Sequence, residues 1–74
     1  MNAKRRKSLH KAIKLLEEAK GIIEDVQCEE EESYDNLSEG LQQSSMGETL
    51  SENSSTLEDV VSSIEDLIDE VGSM

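Results

Sequence analysis

Carboxylates are the residues of this 74-residue chain with the most chemistry to offer. Glu29, Glu30, Glu31 and Glu32 run consecutively, and Asp35, Glu39 and Glu48 follow in a stretch without a single base. Carboxylates ligate cations, move protons, or pair with Arg and Lys. A calcium loop alternates its ligands and turns at a glycine, and Glu29–Glu32 has neither that spacing nor that glycine. Carboxylate-bridged metal sites in helical bundles need a Glu-x-x-His pair. The lone histidine, His10, sits instead between Leu9 and Lys11, in the most basic segment. In so acidic a chain two carboxylates occur at any chosen separation, so proton-transfer arguments discriminate nothing. Cys28 has no histidine close in sequence, and the serines lack a base partner of catalytic type. Ion pairing is what remains. The sequence predicts a non-enzymatic protein with no cofactor and no metal, whose acids either keep a helix solvated or recognise a basic groove.

The charge is sharply divided. All seven Lys and Arg residues lie in positions 1–20, which carry +5 once Glu17 and Glu18 are counted, whereas residues 21–74 carry −16. Such a chain as a whole is repelled by nucleic acid and by anionic membranes and is attracted to basic surfaces. Lys4-Arg5-Arg6-Lys7, with Lys11 and Lys14, is the only segment fitted to touch phosphate. No aromatic residue interleaves it, so bases have nothing to stack on. Pairing with the acidic far end of the chain is the stronger reading of these bases, and direct nucleic-acid binding is not expected.

Size and composition narrow the class further. The chain makes at most one small domain, residues 1–74, with no Phe, no Trp and one Tyr, Tyr34. A single cysteine forms no internal disulfide, which favours a reducing, cytoplasmic setting. No apolar run approaches the length of a membrane span. The basic start is like that of a signal peptide, but Lys11, Lys14, Glu17 and Glu18 break the apolar stretch that should follow.

The apolar residues define the elements that must carry these charges. Leu9, Ala12, Leu16, Ala19, Ile23 and Val26 repeat at intervals of three and four, which is one stripe of a helix. Helix 1 is expected from about 3 to about 34. Gly21 inside it marks either a close helix–helix approach or a weak spot. Glu29–Glu32, with no apolar residue among them, are expected to project beyond the core or to be capped by the loop. In the second half Leu50, Asn53, Leu57, Val60, Ile64, Leu67 and Val71 repeat in the same way, as a sustained heptad pattern. Ser45 with Glu48 fits a capping box and Gly72 a C-terminal stop, so helix 2 is expected from about 46 to about 71. Ser51, Ser54, Ser55 and Thr56 weaken its early turns by competing for backbone hydrogen bonds. The connection, 35–45, reads as one short helical turn started by Asn36 and Glu39, with Leu37 and Leu41 packed on the hairpin end. A disordered linker is the alternative.

Each helix is charged against its own dipole. Lys4–Lys7 crowd the positive end of helix 1, and Glu65, Asp66, Asp69 and Glu70 crowd the negative end of helix 2. Folding the chain into an antiparallel hairpin sets those ends side by side, so base meets acid. The expected fold is therefore all-α, an antiparallel two-helix hairpin. Ile13, Leu15 and Ile22 on helix 1 and Val61 and Ile68 on helix 2 widen the apolar faces beyond what one seam needs. These five are the candidate interface of a homodimer forming a four-helix bundle.

The segment Tyr34-Asp35-Asn36-Leu37-Ser38-Glu39-Gly40-Leu41-Gln42, followed by Ser44, Ser45 and Gly47-Glu48, resembles a group of small acidic helical proteins of Firmicutes phages and prophages. Their turn is NLPEGLQ-like; this chain has Ser38 in place of the proline, which makes the turn less rigid. The resemblance implies a phage setting and a helix–turn–helix layout. Small acidic phage proteins include anti-CRISPR proteins and DNA mimics, which occupy basic nucleic-acid channels of host nucleases. It thus implies an inhibitor whose Glu29–Glu32, Asp35, Glu39 and Glu48 contact a basic surface of a host nucleic-acid-binding protein, such as a CRISPR effector nuclease. Carboxylates on a helix lie about 5–6 Å apart, against a charge every ~3.4 Å along a DNA strand, so the imitation would be coarse. The alternative is a phage assembly adaptor, a coiled coil that binds through its apolar faces.

Overall fold

A computed structural model describes residues 1–74. The chain forms α1 (Ala3–Asp35), a single turn α2 (Glu39–Gln42) and α3 (Ser45–Gly72), without strands. Asn2 starts α1: its side-chain oxygen accepts the Arg5 N–H at 2.9 Å, satisfying one of the free donors of the first turn. No proline interrupts the 33 residues that follow. The helix closes at Asn36, whose N–H donates to the Glu32 carbonyl at 3.0 Å.

Three details of the caps differ from the sequence expectation. Asn36 is still engaged in ending α1, so Ser38 starts α2 and accepts from the Leu41 N–H. Ser45 is already helical, so the N-cap of α3 is Ser44 and no capping box forms with Glu48. The Ser44 hydroxyl instead donates backward to the Leu41 carbonyl. Gly72 remains helical with no left-handed backbone, and Ser73 is the C-cap.

α1 and α3 pack side by side and antiparallel. Lys20 meets Glu65, Glu30 meets Asn53 and Glu31 meets Ser54, so residue n of α1 lies opposite about 85 − n of α3. The seam follows heptad spacing. On α1 it runs through Leu9, Ile13, Leu16, Lys20, Ile23, Gln27, Glu30 and Tyr34, and on α3 through Leu50, Ser54, Leu57, Val61, Ile64, Ile68 and Val71, all half-buried. Each helix is thus rotated by about half a residue step from the stripe that the sequence suggests. Val26, Val60 and Leu67, expected in the seam, are exposed. Gln27, Val61 and Ile68 take their places. The rotation buries Ile13 beside the smaller Ala12, and lets the aliphatic stem of Lys20 cover the seam while its ammonium reaches Glu65.

The rotation gives the hairpin two unlike flanks. Lys20–Glu65 at 3.1 Å and Glu31–Ser54 at 3.1 Å mark a polar flank, which also holds Glu24 and Glu58. The other flank carries Leu15, Ile22 and Val26 of α1 beside Val60 and Leu67 of α3, and Glu30–Asn53 at 3.3 Å closes its turn end. In an antiparallel pair the positions preceding the seam on both helices fall on the same side, which is why these five apolar residues share a face.

Nothing apolar is fully buried; Gly47 alone is. The molecule measures 58 × 15 × 12 Å, with a radius of gyration of 17.0 Å, where a globular chain of this length would have about 11 Å. Its accessible surface is 5652 Å², against ~4,500 Å² for a compact protein of its mass.

The tight place is the turn. A Cβ on Gly47 would stand 2.1 Å from the Gln42 carbonyl oxygen, so only glycine lets the end of α2 lie on the first turn of α3. The Gln42 side chain in turn donates to the Tyr34 carbonyl at 3.1 Å, tying α2 back to α1. Leu37 is half-buried as expected, but Leu41 points outward, because Gln42 occupies the inner position. A Cβ on Gly21 would meet nothing within 4 Å, so this glycine marks no helix contact.

The two chain ends do come together: Arg6, Leu9 and His10 share a cleft with Val71, Gly72 and Met74. Base does not meet acid there as expected. Lys20 makes the only ion pairs, with Glu65 and, along its own helix at 3.8 Å, with Glu24. The register explains this. Lys11 lies about level with Met74, so Lys4–Lys7 overhang α3, and Lys4, Lys7, Lys11 and Lys14 form an outward stripe on α1. No helix is long and apolar enough to cross a membrane.

Candidate functional site

The acids singled out in the sequence gather at the turn end but do not act as one block. Four consecutive residues of a helix point in four directions, about 100° apart. Glu30 is half-buried in the seam and accepts from the Asn53 side chain. Glu31 accepts from the Ser54 hydroxyl at 3.1 Å and from Gln27 at 3.4 Å. Glu29 and Glu32 are exposed, and their carboxylates make no hydrogen bond or ion pair. The last turns of α1 therefore do not project beyond the core; they lie against the early turns of α3 through polar contacts. This is also where Ser54 spends its hydroxyl, on Glu31 rather than on its own helix backbone. Asp35 is exposed one turn beyond Glu31, Glu39 lies in the first turn of α2, and Glu48 in the first turn of α3. Near those two helix starts a carboxylate is favoured by the local dipole.

On the polar flank a shallow groove forms between the helices. Glu31, Tyr34 and Asp35 line one wall, and Ser51, Ser54, Ser55 and Glu58 the other. Glu58 was not among the expected contact residues, and Ser51, Ser54 and Ser55 were expected only to weaken the early turns of the second helix. A signal for them existed: 51, 54, 55 and 58 fall on one face of a helix, as do Glu31 and Asp35. It was hidden because acid and serine look alike wherever a chain is solvated.

The groove is a surface of acceptors. Three carboxylates and four hydroxyls line it, the half-buried Ser54 hydroxyl already donating to Glu31, and no cation is near: the basic segment lies at the opposite end, and Lys20 is taken by Glu65. Such a surface matches the fork of a guanidinium or the point charge of an ammonium. No group of three or more His, Cys, Asp or Glu side chains converges closely enough to hold a metal ion.

Comparison with family models, with curated proteins and with solved structures finds no match.

The dimer candidates from the sequence divide between two places. Ile13, Val61 and Ile68 lie in the seam within one chain, while Leu15 and Ile22 stand exposed on the apolar flank. Val26, Val60 and Leu67 join them there, residues that the sequence reading had placed inside. Cys28 is exposed and unpaired, and His10 is exposed on the basic half of α1.

Proposed function

We propose that this chain works by binding rather than by catalysis, and that its turn end docks on a basic protein surface. The observation that carries the reading is the separation of charge. Residues 21–64 hold twelve acids and no base, whereas positions 1–20 and 65–74 together hold seven bases and six acids. At the turn end the acids are uncompensated, so the field there steers a cationic partner. Glu32, Asp35, Glu39, Glu48 and Glu58 are the contact residues, with Glu29 and Glu31 beside them. Glu30 serves the hairpin more than the partner.

The partner class follows from that charge and from the likeness of the Tyr34–Gln42 segment to the phage group. It is a nucleic-acid-binding protein of a bacterial host whose basic channel the acids occupy, with a CRISPR effector nuclease as the concrete candidate. The chain then acts in the host cytoplasm as an inhibitor, and its working unit is a homodimer. Capture of host nucleases by the full chain tests this. Binding should weaken steeply with ionic strength, and Glu32→Gln, Asp35→Asn and Glu58→Gln combined should abolish it. Binding unchanged by those substitutions excludes the acidic end as the contact.

A second reading, an assembly adaptor that binds through apolar surface, draws on the exposed Leu15, Ile22 and Leu67. Its partner would stay bound at high salt and be lost on substitution of those leucines and isoleucine.

A further inference from the structure

We propose that the apolar flank seats a second copy of this chain, laid across it head to tail so that a two-fold axis crosses the hairpin near Gly21 and Ser63. The inference rests on the reading of the chain as a binding module and assigns it an oligomeric surface distinct from the acidic groove.

The flank is apolar without a reason in the single chain. Leu15 is 57 % exposed, Ile22 59 % and Leu67 47 %, with Val26 and Val60 beside them. The opposite flank, at equivalent positions, carries Glu24, Glu31, Glu58 and Glu65. One hairpin therefore has a side built for water and a side that is not.

The positions of these residues select the arrangement. In a head-to-tail pair related by an axis across the hairpin, α1 lies on α1 and α3 on α3, both antiparallel. Leu15 then meets Val26 of the other copy about an axis between residues 20 and 21. Val60 meets Leu67 about an axis between 63 and 64. By the register of the hairpin, 63 and 64 lie opposite 21 and 22. Two independent pairings thus give one axis to within a residue. Ile22 and the small Ala19 fill the middle.

Charge excludes the other arrangement. A head-to-head pair would lay the turn half of one copy, twelve acids and no base, on the same half of the other. Head to tail, Lys11 falls opposite Glu30 of the second copy and Lys7 opposite Tyr34, one turn further along the same helix. The acidic groove with Glu31, Asp35 and Glu58 lies on the other flank and stays open.

Light scattering on the full chain, followed through a dilution series, tests the proposal. The expected mass is twice the 8.2 kDa of the chain. Leu15→Glu with Ile22→Glu should halve it while the helical circular dichroism persists, because neither residue lies in the seam. Glu58→Gln, on the opposite flank, should leave it unchanged. Orientation is read in a Cys28→Ser background. Leu15→Cys with Val26→Cys should form disulfide-linked dimers, and either cysteine alone should not, since each then stands about 16 Å from its own copy. A wild-type monomer, a dimer that survives both glutamates, or cross-linking by Leu15→Cys alone would overturn the proposal. The measurement needs no target protein, so its failure leaves the reading of the acidic groove standing.

Discussion

Lys20 Nζ of α1 lies 3.1 Å from Glu65 Oε1 of α3, the one ion pair that crosses the hairpin. The hydrogen bond to Glu65 holds the Lys20 ammonium above its ordinary pKa, with the charges of Glu65 and Glu24 adding to it and desolvation opposing. A cation whose folded-state pKa is raised lends stability that is complete below the unfolded value, about 10.4, and is lost as pH rises through the folded value. Thermal unfolding of the wild type and of Lys20→Met should therefore differ at neutral pH and converge as the pH rises through the raised folded-state value. A gap that stays constant into strong alkali would show that the pair contributes nothing specific.

Gly47 and Gly21 should respond oppositely to the same change. Gly47→Ala drives a Cβ into the Gln42 backbone, which has no rotamer to escape by. It should cost about 1–3 kcal/mol despite the helix propensity of alanine. Gly21→Ala meets open space and should gain about 0.5–1 kcal/mol. Urea midpoints of the two variants measure both signs in one experiment.

Near the turn the seam turns polar where Gln27, half-buried and about level with Leu57 by the register of the helices, gains only a long bond from its amide to Glu31. Gln27→Leu should raise stability by roughly 1 kcal/mol through added apolar burial. If chemical denaturation finds it neutral or worse, the rotation assigned to α1 is incorrect.

The net charge of −11 opposes compaction of the chain. The melting temperature should rise by several degrees between low salt and about 0.5 M, where the screening length falls to a few ångströms. The Lys20–Glu65 pair, weakened by the same salt, is one contact against many repulsions. A melting temperature that falls with salt would mean that attraction dominates.

The outline of this fold was legible because it rests on coarse signals. The absence of proline, two apolar repeats and a turn rich in Ser, Glu and Gly were enough to place α1 and α3 to within about a residue, with one short helical turn between them. Rotation of the helices was not legible. With Ala12 beside Ile13, and Val60 beside Val61, two adjacent rows compete on each helix. The choice between them is made by packing both helices at once, as the seam position of Lys20 shows. The caps failed for a related reason. Ser44 and Ser45 are chemically equivalent, and Gly47, read as part of a capping box, was needed for a backbone contact that no local pattern encodes. Of the acidic site, Asp35, Glu39 and Glu48 were visible as charge, but the groove was not, because Glu58 enters it only through the register between helices.

Spin labels at Arg6 and Asp69, measured by pulsed dipolar spectroscopy in protein diluted with unlabelled chain, test the hairpin most directly. About ten residues of stagger along the axis and one interhelix spacing put the two sites about 20 Å apart, and a narrow distribution near that distance is the predicted result. A distance beyond the 58 Å length of the folded molecule would contradict the hairpin. It would mean that α1 and α3 continue one another instead of lying side by side.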